Sequence, residues 1–206
     1  MRRATGAALA PASLAMSAPR ASRDGKEFNR PIVMIGMMGA GKSAIGRRLA
    51  QRLGLPFVDA DAEIERAAGC AIEEIFEKHG EAVFRDGERR VIARLLEGPV
   101  GVLATGGGAF MDPETRARIR SRATTVWLKA DLDTLVERVS RRSHRPLLKN
   151  GDPREVLTRL MTLRNPVYAE ADITVEAGNA PTAATVERVI EALAAFRPRA
   201  AAERSA

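Results

Sequence analysis

The sequence has one cysteine and few aromatic residues. Because Cys70 is alone among 206 residues, no disulfide can form within the chain, and a single thiol favours a reducing compartment. Its setting, AAGCAIEEI, predicts a small buried hydrophobic residue rather than a nucleophile. Phe, Trp and Tyr make up 4% of the chain, which disfavours stacking on single-stranded nucleic acid. We therefore expect a cytoplasmic protein without a nucleic-acid partner.

Long apolar runs and N-terminal acids are also missing. No run approaches the roughly 18 apolar residues that a transmembrane helix needs, so we expect no membrane partner. Residues 1–23 contain four arginines and no acid, which leaves only +3 of the net charge of +7 for the rest of the chain. This weakly basic remainder suits an anionic small molecule and falls short of the footprint that duplex DNA requires.

The two ends of the chain differ in composition from its middle. Residues 1–28 are rich in Ala, Ser and Arg and lack apolar periodicity, which predicts a disordered N-terminal extension. An organelle transit peptide has the same acid-poor composition, and a dispensable segment before a start at Met16 is a second alternative. Residues 197–206 are expected to be a disordered tail. The chain is too short for two ordinary domains, so residues 29–196 are expected to form one.

Short apolar runs alternate with helical patterns over this domain. The five runs are PIVMIG (31–36), LPFVD (55–59), VGVLAT (100–105), TTVWLK (124–129) and DITVE (172–176). This alternation predicts an α/β fold of three layers, in which helices cover both faces of a five-stranded parallel sheet. Residues 61–97 are longer and more helical than a crossover requires. Helices inserted there would lie over the carboxyl edge of the sheet, where ligands bind.

Capping residues mark several helix boundaries. Gly54 is a predicted C-cap, and Asp112, which precedes Pro113, is a predicted N-cap. Asp131 opens a further helix in the same way.

The segment GMMGAGKS, residues 36–43, matches the phosphate-loop pattern G-x-x-x-x-G-K-[ST]. It follows an apolar run and precedes an amphipathic helix, as the pattern requires. Its glycines let backbone N–H groups approach phosphate oxygens at the positive end of the helix. Lys42 would reach the β- and γ-phosphates, and the Ser43 hydroxyl would bind Mg²⁺. The predicted ATP-binding residues of this segment are Gly39, Ala40, Gly41, Lys42, Ser43 and Ala44.

The third apolar run lacks an acid at its end. In many P-loop ATPases such a strand ends in a metal-organising Asp, whereas here VGVLAT runs into GGG. An N-K-x-D base reader is also missing, which disfavours a GTPase. Asp59 is therefore the nearest carboxylate for Mg²⁺ by sequence. Asp59 and Asp61 in PFVDADAEI are compatible with a metal pair, with a turn and helix cap, or with two carboxylates that have separate tasks.

Three further segments carry residues that suit an anionic ligand. TGGGAF places Gly106, Gly107 and Gly108 at the end of a strand, where backbone N–H groups can approach a ligand, with a flexible turn as the alternative. Arg85 in AVFRDGE lies on an inserted helix and, taken alone, would be a solvated charge. Arg164 in RNPVYAEA lies near a helix end, where the helix dipole would also explain it.

Together these segments resemble the shikimate kinases, a branch of the nucleoside-monophosphate-kinase-like fold. The matching segments occur in the order of that family: GMMGAGKS, FVDADAEIE, IEEIFEKHGEAVFRDGE, ATGGGAF, RPLL and RNPVYAEAD. The resemblance covers nearly all of residues 30–195. Six segments in order are far more specific than any one of them.

The resemblance implies transfer of the γ-phosphate of ATP to the 3-hydroxyl of shikimate, in chorismate and aromatic amino acid biosynthesis. Asp59 would help to hold Mg²⁺, and Asp61 would hydrogen-bond the acceptor hydroxyl. Arg145, in a lid at residues 140–153, would approach the transferring phosphate, and Arg138 would pack on adenine. The implied shikimate-binding residues are Asp61, Arg85, Gly106, Gly107, Gly108 and Arg164. The implied catalytic residues are Lys42, Asp61 and Arg145. The family also implies a monomer.

Two positions depart from the usual pattern. Ala44 stands where many relatives have Thr, so a hydroxyl contact to the α-phosphate is missing, which bears on nucleotide affinity more than on chemistry. Gly87 lies within a predicted helix and is expected to loosen the turn that carries Arg85. Glu88, three residues after Arg85, is expected to hold that arginine in place.

Two other functions compete with this interpretation. One is another small-molecule kinase of the same fold, such as a gluconate kinase or a nucleoside monophosphate kinase. The paired arginines and the triple glycine argue against it. The other is a nucleotide-binding regulator without turnover. A regulator has no need of both a metal carboxylate and an acceptor carboxylate, whereas Asp59 and Asp61 are both present.

Overall fold

The computed structural model of the protein describes residues 28–141 and 152–196. The predicted lid residue Arg145 lies outside these residues, as do residues 1–27 of the predicted extension and residues 197–206 of the predicted tail. The described elements are, in chain order, β1 (Ile32–Ile35), α1 (Lys42–Leu53), β2 (Phe57–Asp59), α2 (Ala60–Ala68), α3 (Ile72–Leu95), β3 (Val102–Ala104), a 3₁₀ turn (Ala109–Met111), α4 (Pro113–Arg122), β4 (Thr124–Lys129), α5 (Leu132–Ser140), α6 (Pro153–Tyr168), β5 (Ile173–Glu176) and α7 (Thr182–Ala195).

The five described strands form one parallel sheet in the order β2-β3-β1-β4-β5. β1 lies in the middle, and all of its residues are buried, which explains its continuous apolar run. Because the strands are parallel, their carboxyl ends lie at one edge of the sheet. The chain leaves β1 towards β2 and later crosses β1 to reach β4, so a crevice opens beside the end of β1. The predicted α/β fold with a five-stranded parallel sheet is confirmed.

The main core lies between the sheet and its helices. α1 packs against α7, and α5 packs against α6. The largest fully buried side chains include Tyr168, Phe110, Ile32, Met34 and Leu49. Burying side chains of this size contributes about 1.5–3 kcal/mol each, so the core holds the carboxyl edge firmly. Within the described part of the chain, every helix is too short or too polar to cross a membrane.

Helices α2 and α3 form the predicted insertion between β2 and β3, and they enclose a second, smaller core. Its buried residues are Ile64, Ile75, Phe84 and Val91. Cys70 packs at the edge of this cluster and is half-buried. The prediction for Cys70 is therefore right about its apolar packing and wrong about its degree of burial. α3 is interrupted at Gly80, whose φ of 77° suits a residue without a side chain.

The predicted caps are confirmed. Gly54 ends α1 in the left-handed conformation, with φ of 67°. The Asp112 carboxylate accepts a hydrogen bond from the backbone N–H of Thr115 at 2.8 Å, and the Asp131 carboxylate accepts one from the backbone N–H of Thr134 at 2.7 Å. Each aspartate thereby satisfies one of the unpaired donors at a helix start.

Gly87 does not break α3, contrary to the loosening expected from its low helix propensity. A methyl group at this position would meet no atom within 4 Å. We therefore expect Gly87→Ala to raise the free energy of unfolding by about 0.5–1 kcal/mol, because alanine loses less backbone freedom in a helix. Urea denaturation should show a higher midpoint with an unchanged slope. A lower midpoint would contradict this account of the glycine.

Candidate active site

Two cavities open side by side at the carboxyl edge of the sheet. The larger, of ≈ 410 Å³, is lined by the phosphate loop, the end of α5 and the segment after β5. The smaller, of ≈ 120 Å³, is lined mainly by side chains of α3 and α6. Three residues line both cavities: Asp61, Gly106 and Gly107. The cavities therefore meet at one carboxylate and a stretch of bare backbone.

The phosphate loop bends around the larger cavity through left-handed glycines. Gly36, Gly39 and Gly41 have φ of 134°, 82° and 94°, which residues with side chains rarely adopt. α1 begins directly afterwards, so its positive end lies at the cavity. The predicted ATP-binding residues in the cavity lining are Gly39, Gly41, Lys42, Ser43, Ala44 and Arg138. Ala40 is not among them, because its side chain is buried in the main core.

The Lys42 ammonium group lies over its own loop. Its Nζ donates to the carbonyl oxygens of Gly36 and Met37, at 2.9 Å each. Both acceptors follow β1 directly, so the end of the central strand positions the charge. An anionic phosphate oxygen is a stronger acceptor than a neutral carbonyl. The ammonium group is therefore placed to change partners when phosphate enters.

Asp59 binds two groups at once. Its Oδ2 accepts a hydrogen bond from Ser43 Oγ at 2.6 Å, and its Oδ1 accepts one from the backbone N–H of Asp61 at 3.1 Å. Asp59 is thus both the N-cap of α2 and the partner of the phosphate-loop hydroxyl. Adjacent hydroxyl and carboxylate oxygens suit Mg²⁺, which fills its other positions with phosphate oxygens and water. The described residues contain no larger cluster of His, Cys, Asp or Glu that could hold a metal ion.

The three glycines after β3 leave space for side chains of the site, and none of them has a left-handed φ. A Cβ on Gly106 would lie 2.9 Å from an oxygen of Asp61 and of Glu88. A Cβ on Gly107 would lie 3.3 Å from an Arg164 nitrogen. A Cβ on Gly108 would lie within 2.7 Å of the Arg85 guanidinium. The site residues predicted from separate segments therefore converge on this turn, here called the glycine turn (Gly106–Gly108).

Arg85 is held by carboxylates on its own helix. Its NH1 donates to Glu88 Oε2 at 2.6 Å, and its NH2 donates to Glu81 Oε1 at 3.1 Å. The expected support from Glu88 is therefore confirmed. The solvated helix-face interpretation of Arg85 is wrong, because the guanidinium lines the smaller cavity.

Glu88 is 3% exposed, and burial raises the pKa of its carboxyl group, although the Arg85 guanidinium opposes the shift. Burial lowers the pKa of Arg85, but Glu88 and Glu81 more than offset this, and the pKa is raised overall. Both pKa values are raised, but for different reasons: burial outweighs the Arg85 charge at the deeply buried Glu88, whereas the two carboxylates outweigh burial at Arg85. Glu88 Oε1 is buried and has no hydrogen-bond partner among the described residues.

Arg164 is buried on α6 and also lines the smaller cavity, so helix-dipole compensation does not explain its position. One helical turn later, the Tyr168 hydroxyl donates to the carbonyl oxygen of Gly107. Tyr168 belongs to the segment RNPVYAEA, but the sequence assigns it no role. The spacing of four residues from Arg164 was the available signal, because it places both side chains on one helix face.

Arg138 joins the two sides of the larger cavity. Its guanidinium donates to the carbonyl oxygens of Gly39 at 3.4 Å, Ala177 at 3.1 Å and Gly178 at 2.6 Å. The phosphate loop and the segment after β5 are thereby linked. The predicted contact of Arg138 with adenine stays a prediction, and that of Arg145 falls outside the described residues.

This chain is similar to known proteins along most of its length. The family model described as shikimate kinase matches residues 38–194. A shikimate kinase of Paramagnetospirillum magneticum is 60% identical over 169 residues, which cover 82% of this chain and 87% of that protein. A shikimate kinase structure from Acinetobacter baumannii in complex with shikimate has a TM-score of 0.78 and 37% identity, covering 80% of this chain and 93% of that one.

A more distant likeness concerns the alternative kinase. A gluconokinase structure from Sinorhizobium meliloti 1021 has a TM-score of 0.57 and 22% identity, covering 81% of this chain and 93% of that one. Identity at this level shows a common fold and nothing about the acceptor.

Proposed function

The chain belongs to the shikimate kinase family, and from this premise we propose that its two cavities carry one reaction. ATP in the larger cavity phosphorylates the 3-hydroxyl of shikimate in the smaller one, which gives shikimate 3-phosphate and ADP. The observation that carries the proposal is that Asp61, Gly106 and Gly107 line both cavities. A phosphate and a hydroxyl group would meet at this shared wall.

The phosphate loop binds the nucleotide. Backbone N–H groups of residues 39–44 surround the phosphates at the positive end of α1. Lys42 exchanges its two carbonyl partners for β- and γ-phosphate oxygens, and it neutralises charge as the phosphoryl group moves. The methyl group of Ala44 lines this cavity without offering a hydrogen bond. Arg138 contacts the base from the opposite wall, and Arg145 approaches the γ-phosphate from the lid.

Ser43 and Asp59 hold Mg²⁺. Their oxygens are already paired at 2.6 Å beside the phosphate loop, and both are of the hard type that this ion prefers. When bound, the ion neutralises charge on the phosphate oxygens. The second oxygen of the Asp59 carboxylate keeps its hydrogen bond from the backbone N–H of Asp61. This bond fixes the position of Asp59, which holds Mg²⁺, relative to Asp61, which binds the acceptor.

Asp61 binds the acceptor hydroxyl. Its carboxylate accepts a hydrogen bond from the 3-hydroxyl and receives the proton as the oxygen bonds to the γ-phosphorus. The bond from that phosphorus to the bridging oxygen breaks, and ADP leaves. The other task of the acceptor site is to bind an anion. Arg85 and Arg164 bind the shikimate carboxylate, since planar guanidinium groups match carboxylate geometry.

The glycine turn provides backbone N–H groups and the space in which the ring lies. A gluconate kinase would also need an anion site, but it would not need a cavity of only ≈ 120 Å³ with two apolar aromatic walls, Phe76 and Phe84. A regulator without turnover would need no acceptor cavity at all.

We extend the proposal to the organisation of the chain. Residues 29–196 form one kinase domain, with a substrate-binding insertion at residues 61–97 and a lid at residues 140–153. The single main core, to which every strand contributes or packs, supports one domain. A monomeric state is proposed from the family resemblance, and a cytoplasmic location from the lone half-buried thiol.

The proposal is tested by ADP release from ATP and Mg²⁺ with a panel of acceptors. We expect turnover with shikimate and none with gluconate, AMP or quinate. Gluconate has no ring, AMP has no carboxylate, and quinate has an extra hydroxyl and a tetrahedral carbon where the ring of shikimate is planar. Chelation of Mg²⁺ should abolish turnover. Equal rates with gluconate, or no rate with shikimate, would reject the proposed substrate. ATP binding without release with any acceptor would favour the regulator.

A further inference from the structure

The Tyr168 side chain extends from the end of α6 to the glycine turn. Its hydroxyl donates to the Gly107 carbonyl oxygen, and its side chain is fully buried at the end of α6. A buried phenol hydroxyl needs a hydrogen-bond partner, and here the partner is the backbone of the turn that lines both cavities. The tyrosine itself lines neither cavity, so it touches no substrate.

The same phenol lies near Arg164. Burial raises the pKa of Tyr168 to about 12, although the positive charge of Arg164 favours the ionised phenol. The hydroxyl therefore keeps its proton at neutral pH and stays a donor to Gly107. Arg164 also approaches the turn directly, since a Cβ on Gly107 would lie 3.3 Å from its guanidinium.

The glycine turn in turn abuts the phosphate loop. The Cβ position of Gly107 is 3.5 Å from the Gly36 carbonyl oxygen and from the Met38 backbone nitrogen. The same Gly36 carbonyl accepts the Lys42 hydrogen bond. A shift of Gly107 would therefore change where the acceptor lies relative to the phosphates.

The ring of Tyr168 packs against the core. Its centroid lies 5.9 Å from that of Trp127, which belongs to β4 beside the central strand. Aromatic pairs at this separation favour one relative orientation. The hydroxyl thus projects from a rigid part of the core onto the turn.

We infer that Tyr168 is a positioning residue for the acceptor, because its hydroxyl holds the Gly107 carbonyl of the turn that both Arg164 and the phosphate loop approach, and so places shikimate against the phosphate loop. This inference rests on the proposed function, since it assigns the residue that orders the shikimate side of the same site. It predicts that loss of the hydroxyl weakens the use of shikimate and leaves the affinity for ATP unchanged.

The first test is Tyr168→Phe, which removes the hydroxyl and leaves the ring. We expect kcat/KM for shikimate to fall about tenfold, because the turn loses a hydrogen bond and its carbonyl loses a partner. The KM for ATP should stay within about twofold, because the phosphate-loop bonds are intact. Unchanged kinetics with shikimate would overturn the inference. An equal rise of both KM values would also overturn it, as a sign of general loosening.

The matched control is Thr125→Val, which removes another fully buried hydroxyl. Thr125 exchanges hydrogen bonds with Asp172 at 2.9 and 2.7 Å, at the opposite end of β4 from the site. This variant should be less stable than the wild type and should keep both KM values. A loss of shikimate affinity in it equal to that of Tyr168→Phe would show that any buried hydroxyl matters, which contradicts a positioning role.

A second measurement needs no substitution. Tyr168 is the only tyrosine of the chain, so growth on a fluorinated tyrosine labels this position alone. We expect its fluorine NMR signal to shift when shikimate is added without nucleotide. An unchanged signal at saturating shikimate would overturn the inference even if Tyr168→Phe failed to fold. The two proposals fail in different experiments. A wild-type enzyme that is inactive with shikimate rejects the proposed function. A wild-type enzyme that is active, together with unchanged kinetics of Tyr168→Phe, rejects only the positioning role.

Discussion

Asp61→Asn is expected to lower kcat by about 10²–10⁴-fold, the range that a general base usually contributes. The amide keeps the shape of the side chain but cannot take the proton of the acceptor hydroxyl. The backbone N–H of residue 61 still caps α2 through Asp59, so the fold and the metal carboxylate are undisturbed. Affinity for ATP should therefore change by less than about twofold. Initial rates of ADP release and calorimetric titration with ATP measure the two quantities separately.

A matched control for this substitution is Glu63→Gln. Glu63 lies in the same first turn of α2, but it lines neither cavity and pairs with Arg66 and Arg94. Its loss should leave kcat unchanged. If Asp61→Asn retained full kcat, the acceptor role of Asp61 would be wrong. If it also lost ATP binding, the carboxylate would belong to the nucleotide site.

Arg85→Ala is expected to raise the KM for shikimate by about 10–150-fold, since a hydrogen-bonded charge pair with the substrate carboxylate is lost. The effect on kcat should be smaller, because Arg85 does not touch the reacting atoms. The substitution also leaves Glu88 buried without its cation, which costs stability. Shikimate titration of initial rates at saturating ATP gives the KM, and urea denaturation gives the stability.

The stability of Arg85→Ala should depend on pH. In the native protein the pKa of Glu88 is already raised by burial and held down by Arg85, so removal of Arg85 raises it further. A carboxyl group with a raised pKa in the folded state binds its proton more tightly than in the unfolded state. The stability that the variant loses relative to the wild type should therefore be smallest in acid and should grow as pH rises through the pKa of Glu88.

A double variant separates folding from binding. Arg85→Ala with Glu88→Gln removes the buried charge, so it should recover stability at neutral pH and keep the high KM for shikimate. Arg89→Ala is the matched control, because Arg89 lies one turn further along α3 and pairs with Asp86 and Asp112 outside both cavities. A normal shikimate KM in the double variant would show that Arg85 acts only through the stability of α3.

Local patterns account for the nucleotide half of the site. The phosphate loop, the strand before it and the helix after it are adjacent in sequence, and their conformations follow from glycine torsions and hydrophobic periodicity. The caps at Asp112 and Asp131 are local for the same reason, since each carboxylate bonds a backbone N–H three residues later. Such contacts form over a few residues and do not depend on the rest of the fold.

For the acceptor half of the site, the residues were predicted, but the contacts between them were not. Arg85, Gly106 and Arg164 lie far apart in sequence, and each had an ordinary structural explanation when taken alone. Their roles were indicated by family resemblance. The reason for the glycines was also only partly foreseen, because their Cβ positions are taken by side chains from α2, α3 and α6. Steric exclusion of this kind is a property of packed neighbours.

The sequence by itself determined the parallel α/β sheet, the phosphate loop and the helix ends, because each depends on torsional preference or periodicity within one segment. Only the tertiary structure decided that two cavities share Asp61 and the glycine turn, that Glu88 is buried with a free oxygen, and that Tyr168 holds Gly107. Those relations join residues dozens of positions apart, and they exist only after parallel strands bring their carboxyl ends to one edge.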